Sequence, residues 1–176
     1  MYIDQATLRP YLDGGLITEQ RHPLDENIRI YNYTHCVSYD PHLWDKVTLN
    51  CRGLVLDVQR EKVVSACLRK WFNWEEHVQH EWPIPDESPV IQEKLDGWYA
   101  NLYWLKNKPW IATRGSFTSP GAEWATTWLR TAMAFMKPEE WEWLRNPDVT
   151  HIFEIISSVT RIVVQYDYEG LVHLAT

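Results

Sequence analysis

Apolar and polar positions along this chain follow two rhythms, and together they predict most of its elements. Over residues 4–13, Leu8 and Leu12 stand four apart on one face, Asp4 suits an N-cap and Gly14-Gly15 end the run, which predicts a short helix. A polar stretch with Pro23 follows, without a pattern of its own. Residues 27–33 alternate as a half-buried strand does. Residues 47–58 carry a strong strand signal, clearest after Arg52-Gly53, and residues 63–68 carry a second. The polar Gln59-Arg60-Glu61-Lys62 between them is short enough for a hairpin. The prolines at 83, 85 and 89 exclude helix and interior strand. Beyond them, Val90-Ile91 and residues 98–105 read as strand-like runs on either side of Glu93-Lys94-Leu95-Asp96-Gly97, and Asn107-Lys108-Pro109 turns the chain into residues 110–117.

A longer helix is predicted over residues 120–136. Ser119 caps it, Pro120 sits in its first turn, and Trp124, Trp128, Leu129, Ala132, Phe135 and Met136 make its apolar face; Lys137-Pro138 end it. Residues 139–144 read as a brief helical turn, and residues 152–156, 161–164 and 171–174 as closing strands. Strands joined by short turns, with helices on either side of a strand-rich centre, predict an α+β fold: a mainly antiparallel sheet with flanking helices, one domain over residues 1–176.

Composition changes the picture in three places. The hydrophobic fraction of 45% is globular, yet eleven tryptophans exceed what a core of this size buries, so some should line a groove or partner surface. A net charge of -7 argues against a broad non-specific nucleic-acid surface and leaves room for a small basic cleft. Cys36, Cys51 and Cys67 have no CxxC spacing, which fits a reduced intracellular compartment and not a cysteine zinc site. With no leader in the first residues and no membrane-length run, a soluble cytoplasmic protein is expected.

Candidate chemistry lies in charges that interrupt apolar runs. Arg52 precedes Gly-Leu-Val-Leu, Lys70 precedes Trp-Phe-Asn, Arg114 follows Trp-Ile-Ala-Thr, and Glu154 is embedded in Ile-Phe-Glu-Ile-Ile. A charge in a buried strand costs several kcal/mol, on the order given for buried ions, unless it is paired or ligand-bound. Lys94 enters an Asp-Gly turn; desolvated by aromatic neighbours, its free amine would be a nucleophile. A lysine nucleophile, several cations and a carboxylate suit nucleotidyl transfer, with the amine attacking an α-phosphorus and pyrophosphate leaving.

Lys94-Leu95-Asp96-Gly97 resembles the KxDG motif of ATP-dependent ligases and RNA capping enzymes. Ile30-Tyr31-Asn32-Tyr33, Cys51-Arg52-Gly53-Leu54, Arg69-Lys70-Trp71-Phe72-Asn73, Thr113-Arg114-Gly115-Ser116-Phe117, Phe153-Glu154-Ile155-Ile156 and Arg161-Ile162-Val163-Val164 follow the order of the T-even bacteriophage RNA ligase 1 family. The resemblance implies a ligase nucleotidyltransferase domain, ATP-grasp-like in type, working in the cytoplasm, or in a host's if phage-encoded. It implies ATP and Mg²⁺ as cofactors and RNA 5′-phosphate and 3′-hydroxyl ends as partners. It further implies that Lys94 takes AMP, with Asp96 and Gly97 completing the motif. Arg52 and Lys70 would contact phosphates or ribose, Tyr33 the nucleotide, and Phe72 the adenine. Glu154 would hold the ribose or the metal, and Arg114 stands where the family has lysine. The family's later acidic-glycine motif and its lysine-x-lysine strand are not found before Thr176. The chain is therefore expected to be an incomplete module needing a C-terminal part, separately encoded or not. The alternative is a nucleotide- or RNA-end-binding protein without turnover.

Overall fold

The computed structural model describes residues 4–176, in which strands and helices stack in four layers. The first layer is α1 (Gln5–Asp13), whose N-cap Asp4 accepts the Thr7 N–H at 2.7 Å. It covers a sheet made of β1 (Ile17–His22), β2 (Asp25–Tyr33), β3 (Arg52–Asp57) and β4 (Lys62–Ser65), antiparallel in that order. Between β2 and β3 lie α2 (His35–Tyr39) and two 3-10 turns, Pro41–Leu43 and Thr48–Asn50. After β4 comes α3 (Trp74–Gln79), which a capping box of Asn73 and Glu76 starts.

The second sheet contains β5 (Trp98–Leu105), β6 (Lys108–Thr113), β7 (Ile152–Ile156) and β8 (Gly170–Ala175), also antiparallel, in the order β6-β5-β7-β8. The last layer is α4 (Pro120–Phe135), followed by α5 (Pro138–Trp141) and a 3-10 turn Glu142–Arg145. Ser119 caps α4 by accepting the Ala122 N–H at 3.2 Å.

Side-chain alternation along each strand builds three apolar layers. Tyr31, Leu54 and Leu56 face α1, where they meet Leu8. Ile28, Ile30 and Val55 point the other way and meet Tyr103 and Ala112 of the second sheet and Phe117 of the segment after β6. Ala100, Leu102, Phe153 and Ile155 face α4 and pack on Ala125 and Leu129. At about 25 cal/mol per Å² of apolar surface buried, such interdigitated layers dominate the stability.

The α+β reading holds, but the strands form two sheets where one was expected. Four local readings are corrected. β1 is a strand although it is polar, because only Ile17 and His22 are buried on it. Residues 161–164 form no strand: Ile162, Val163 and Val164 are exposed, and the N–H groups of Val163 and Val164 bind Asp96 instead of a ladder. Val90 and Ile91 are likewise exposed and irregular. On α4 the buried face is Gly121, Ala122, Ala125, Thr126 and Leu129, whereas Phe135 and Met136 are exposed. Small residues win there because the helix lies close: a Cβ on Gly121 would stand 2.8 Å from a Trp98 ring carbon.

Candidate active site

Residue parity in β3 would send Arg52 the same way as Leu54 and Leu56, toward α1. Gly53 breaks that parity. Tyr31 pairs with Leu54 but Asn32 pairs with Arg52, so Gly53 is the extra residue of a bulge, at φ +100°. A Cβ at Gly53 would meet Asn101 Oδ1 at 3.2 Å and the Arg114 carbonyl at 3.3 Å. The buried Asn101 amide fastens the bulge to the second sheet, donating to Gly53 O at 2.8 Å and to Ser65 Oγ at 3.0 Å.

Arg52 is thereby turned toward the second sheet. Its guanidinium lies 4.6 Å from the Trp71 ring centroid and 4.7 Å from that of Tyr99. Two aromatic neighbours hold the planar group without using its edge donors. One of these, Nη1, is buried with no hydrogen-bond partner among the described residues. A buried orphan donor is costly, and a ligand oxygen would satisfy it.

Lys70 and Arg114 stand nearby. The Lys70 N–H donates to Leu49 O at 3.0 Å, its ammonium lies 4.3 Å from the Phe72 ring centroid, and Nζ donates to Trp71 O. Burial pushes the Lys70 pKa below the ordinary lysine value; Glu76 opposes that shift, while the charges of Arg52 and Arg114 add to it. Arg114 Nη1 donates to the hydroxyl of buried Tyr33 at 3.2 Å. Tyr33 meets Trp44 edge-on at 4.9 Å, and Trp44 meets Phe72 at 5.3 Å, so the three rings run on from one another beside the cations.

The Lys94 segment approaches from the other side. Asp96 Oδ2 accepts the N–H groups of Val163 and Val164 at 2.7 Å each, and these bonds hold its carboxyl below the usual range. Its own N–H donates to Tyr166 Oη at 2.9 Å. Gly97 N–H donates to Glu154 Oε1 at 3.0 Å. A Cβ on Gly97 would lie 2.3 Å from Ile155 O, so close approach to β7 is what requires glycine there.

The chain bends at Asp96-Gly97, where an Asp-Gly turn was expected, without a positive φ at Gly97. Lys94 is exposed on an irregular segment, so the expected aromatic desolvation of its amine is not found.

Glu154 alternates with Phe153 and Ile155, so it faces away from α4 and toward the first sheet. Burial raises its pKa; the Gly97 N–H, then the charges of Lys94 and Arg52, work against that, and Asp96 adds to it. Glu154 thus holds the Lys94 segment through Gly97 and pairs with Tyr99, on whose ring Arg52 lies, while Lys70 feels the charges of both Arg52 and Arg114. The ion pairs of the described residues join Arg9, Arg21, Arg29 and Arg60 to carboxylates and include none of Arg52, Lys70, Lys94 and Arg114. In an acidic chain, that grouping of unpaired cations around an orphan donor fits a polyphosphate.

Sequence reasoning missed Tyr99 and Trp44 as members of the site. Tyr99 was legible: it lies two residues after Gly97 in an alternating strand and pairs with Glu154. Trp44 sits in irregular chain and gives no such signal.

A cavity of about 180 Å³ adjoins Asp96, lined also by Ser157, Arg161, Tyr166 and Tyr168. A second, of about 710 Å³, runs along α4 beside Trp124 and Trp128. Arg52, Lys70 and Lys94 line neither of these two cavities. Among the described residues no three His, Cys, Asp or Glu side chains group as a metal cage. Magnesium bound through phosphates and water asks for only one or two protein carboxylates, which Glu154 fits. No helix among the described residues is long and apolar enough to cross a membrane.

Residues 50–176 match the model of a family described as RNA ligase. The chain is 28% identical to a candidate bifunctional polynucleotide kinase/RNA ligase of Autographa californica nuclear polyhedrosis virus, over 80% of this chain and 24% of that one. It is 28% identical to a candidate RNA ligase of Thermovibrio ammonificans, over 69% of this chain and 32% of the other. A protein Smg homolog of Xanthomonas campestris is 25% identical over 76% of this chain and 60% of its own, and its name says nothing of ligation. The chain spans about a quarter to a third of the length of the two ligase-named relatives.

Proposed function

This chain belongs to the RNA ligase family, and we propose that it is the lysine-adenylylating module of an ATP-dependent ligase that joins RNA 5′-phosphate and 3′-hydroxyl ends. The observation that supports this most is geometric: Glu154 accepts the Gly97 N–H of the Lys94 segment at 3.0 Å and pairs with Tyr99, whose ring lies 4.7 Å from the Arg52 guanidinium.

Lys94 Nζ, after shedding a proton to the solvent on which it opens, attacks the α-phosphorus of ATP. The N–P bond forms as the bond from phosphorus to the pyrophosphate oxygen breaks, and pyrophosphate leaves with that electron pair. Arg52, its Nη1 otherwise unsatisfied, and Lys70 hold the phosphates, and Arg114 adds a third cation held by Tyr33. Phe72 and Trp44 offer ring faces and edges to the base. Glu154 would hold the ribose or a magnesium ion, and that ion would supply charge neutralisation on the phosphates. Asp96 and Gly97 act by position: one ties the Lys94 segment to residues 163–166, and the other seats it on β7.

The exposure of Lys94 favours a second reading, nucleotide or RNA-end binding without turnover. Incubation of the full chain with ATP labelled at the α-phosphate separates the two. The ligase reading expects covalent label that a Lys94→Ala variant loses while still binding ATP. Saturable ATP binding with no label in the parent chain supports the second reading, and neither binding nor label removes both.

A further inference from the structure

We infer a binding site for a single halide ion, chloride in kind, between the two sheets beside the β6 edge, toward the end of β5 away from Lys94. Eight buried side-chain atoms of the described residues lack a hydrogen-bond partner, and four of them belong to one cluster: His22 Nε2, Tyr103 Oη, Trp110 Nε1 and Arg130 Nη2. An isolated orphan is an ordinary lapse, but four side by side ask for a common partner.

Four elements bring these residues together. His22 ends β1. It lies five residues after Ile17, which faces α1, so it faces the second sheet and is only 3% exposed. Its ring lies edge-on to Tyr103 at 5.9 Å and to Trp110 at 5.2 Å. Tyr103 on β5, itself 2% exposed, is the cross-strand partner of Trp110 on β6. Because β6 is an edge strand, Arg130 can reach round it from α4. Its Nε donates to Pro109 O at 3.0 Å, and its guanidinium lies 4.1 Å from the Trp110 ring centroid.

The orphans are of one kind. Trp110 Nε1 and Arg130 Nη2 only donate. The Leu24 N–H donates to His22 Nδ1 at 3.1 Å, so that nitrogen holds a lone pair and the ring proton sits on Nε2. The Tyr103 hydroxyl can donate as well. Arg130 enters none of the ion pairs of the described residues. Of the charges that reach His22, Asp25 uses Oδ1 to accept the Asn27 N–H and side-chain amide at 3.1 and 3.3 Å, and Lys106 opposes it.

A water molecule has two lone pairs, and its own two protons would find only Tyr103 Oη to accept them. An anion accepts from all four donors and balances the guanidinium. Rings packed 4.8 to 5.9 Å apart around His22 suit one atom better than a phosphate or a carboxylate. Trp110 and Arg130 are half-buried, which gives the ion its way in.

Melting of the full chain at constant ionic strength, with sodium chloride exchanged stepwise for sodium gluconate, tests the site. The quantity read is the difference between the parent and each variant in the same salt, which cancels the general salt effect. Tyr103→Phe keeps the ring and removes one orphan. It should melt at or above the parent in gluconate and below it in chloride, a reversal that misfolding cannot produce. In Arg130→Gln the half-maximal chloride concentration should rise roughly 10-fold or more. Arg145→Gln removes another arginine stacked on tryptophan, 4.8 Å from the Trp104 ring, and should differ from the parent equally in both salts. Anomalous scattering from crystals of the full chain grown in bromide should place one ion among the four donors. Differences that are the same in both salts for Tyr103→Phe and Arg130→Gln, a chloride response lost in Arg145→Gln, or water without bromide at the cluster would each overturn the assignment. None of these readouts depends on adenylylation.

Discussion

Arg52 depends on a glycine, two rings and an amide from the opposite sheet before it makes any contact with a ligand. A hydrogen bond to a charged group contributes about 1.5–3 kcal/mol. Arg52→Ala should therefore weaken ATP binding by roughly 10- to 150-fold in a titration, with little change in melting temperature; equal affinity would remove Arg52 from the phosphate site. Glu154 makes the opposite trade. Its pKa is raised in the folded chain, so the fold binds more protons there than the unfolded chain does. Its carboxylate consequently costs stability above that raised pKa, and the cost disappears as the pH falls below the ordinary value of about 4.3. Glu154→Gln should raise the melting temperature at neutral pH and lose that advantage in acid. Melts at both pH values check this, and an advantage that grows in acid would contradict it. At this scale the sequence was most informative: a charge inside Ile-Phe-Glu-Ile-Ile is visible without coordinates. The partner that turns Arg52 inward, Asn101, is a polar residue in an ordinary strand and gave no sign.

Elements were legible where their own residues decide them. α1 and α4 carry their caps in the sequence, and β5 and β7 lie on the residues predicted for them. Legibility failed where a distant partner decides. β1 is polar and is held by pairing to β2, with Glu19 taking Arg29 Nη1 at 3.0 Å and the Tyr31 hydroxyl at 2.9 Å. Residues 161–164 have the β-branched composition of a strand, but Asp96 claims two of their N–H groups. The junction of the Lys94 segment with β7 is the element-scale claim most open to test. Gly97→Ala must push the backbone off Ile155 O. A cost of about 1–3 kcal/mol is expected, or a melting temperature lowered by roughly 2–12 °C, together with weaker adenylylation. Unchanged melting would show that the segment does not seat on β7 as described.

For the molecule as a whole, two sheets facing each other, one bringing Arg52 and the other Glu154, explain how an acidic chain holds a local cationic site. Pattern reading merged the sheets into one because strand order and pairing are long-range properties that alternation does not encode. The surplus of tryptophan was better anticipated: Trp71 lies against Arg52, while Trp124 and Trp128 edge the cavity along α4.

The central claim is that Lys94 is the residue on which AMP is received. Peptide mass mapping of the full chain after incubation with ATP and Mg²⁺ tests it most directly. The account predicts one adenylyl group, carried by the peptide containing Lys94 and bound through an acid-labile N–P bond. An adenylyl group found on Lys70 or any other residue, with Lys94 unmodified, would contradict it.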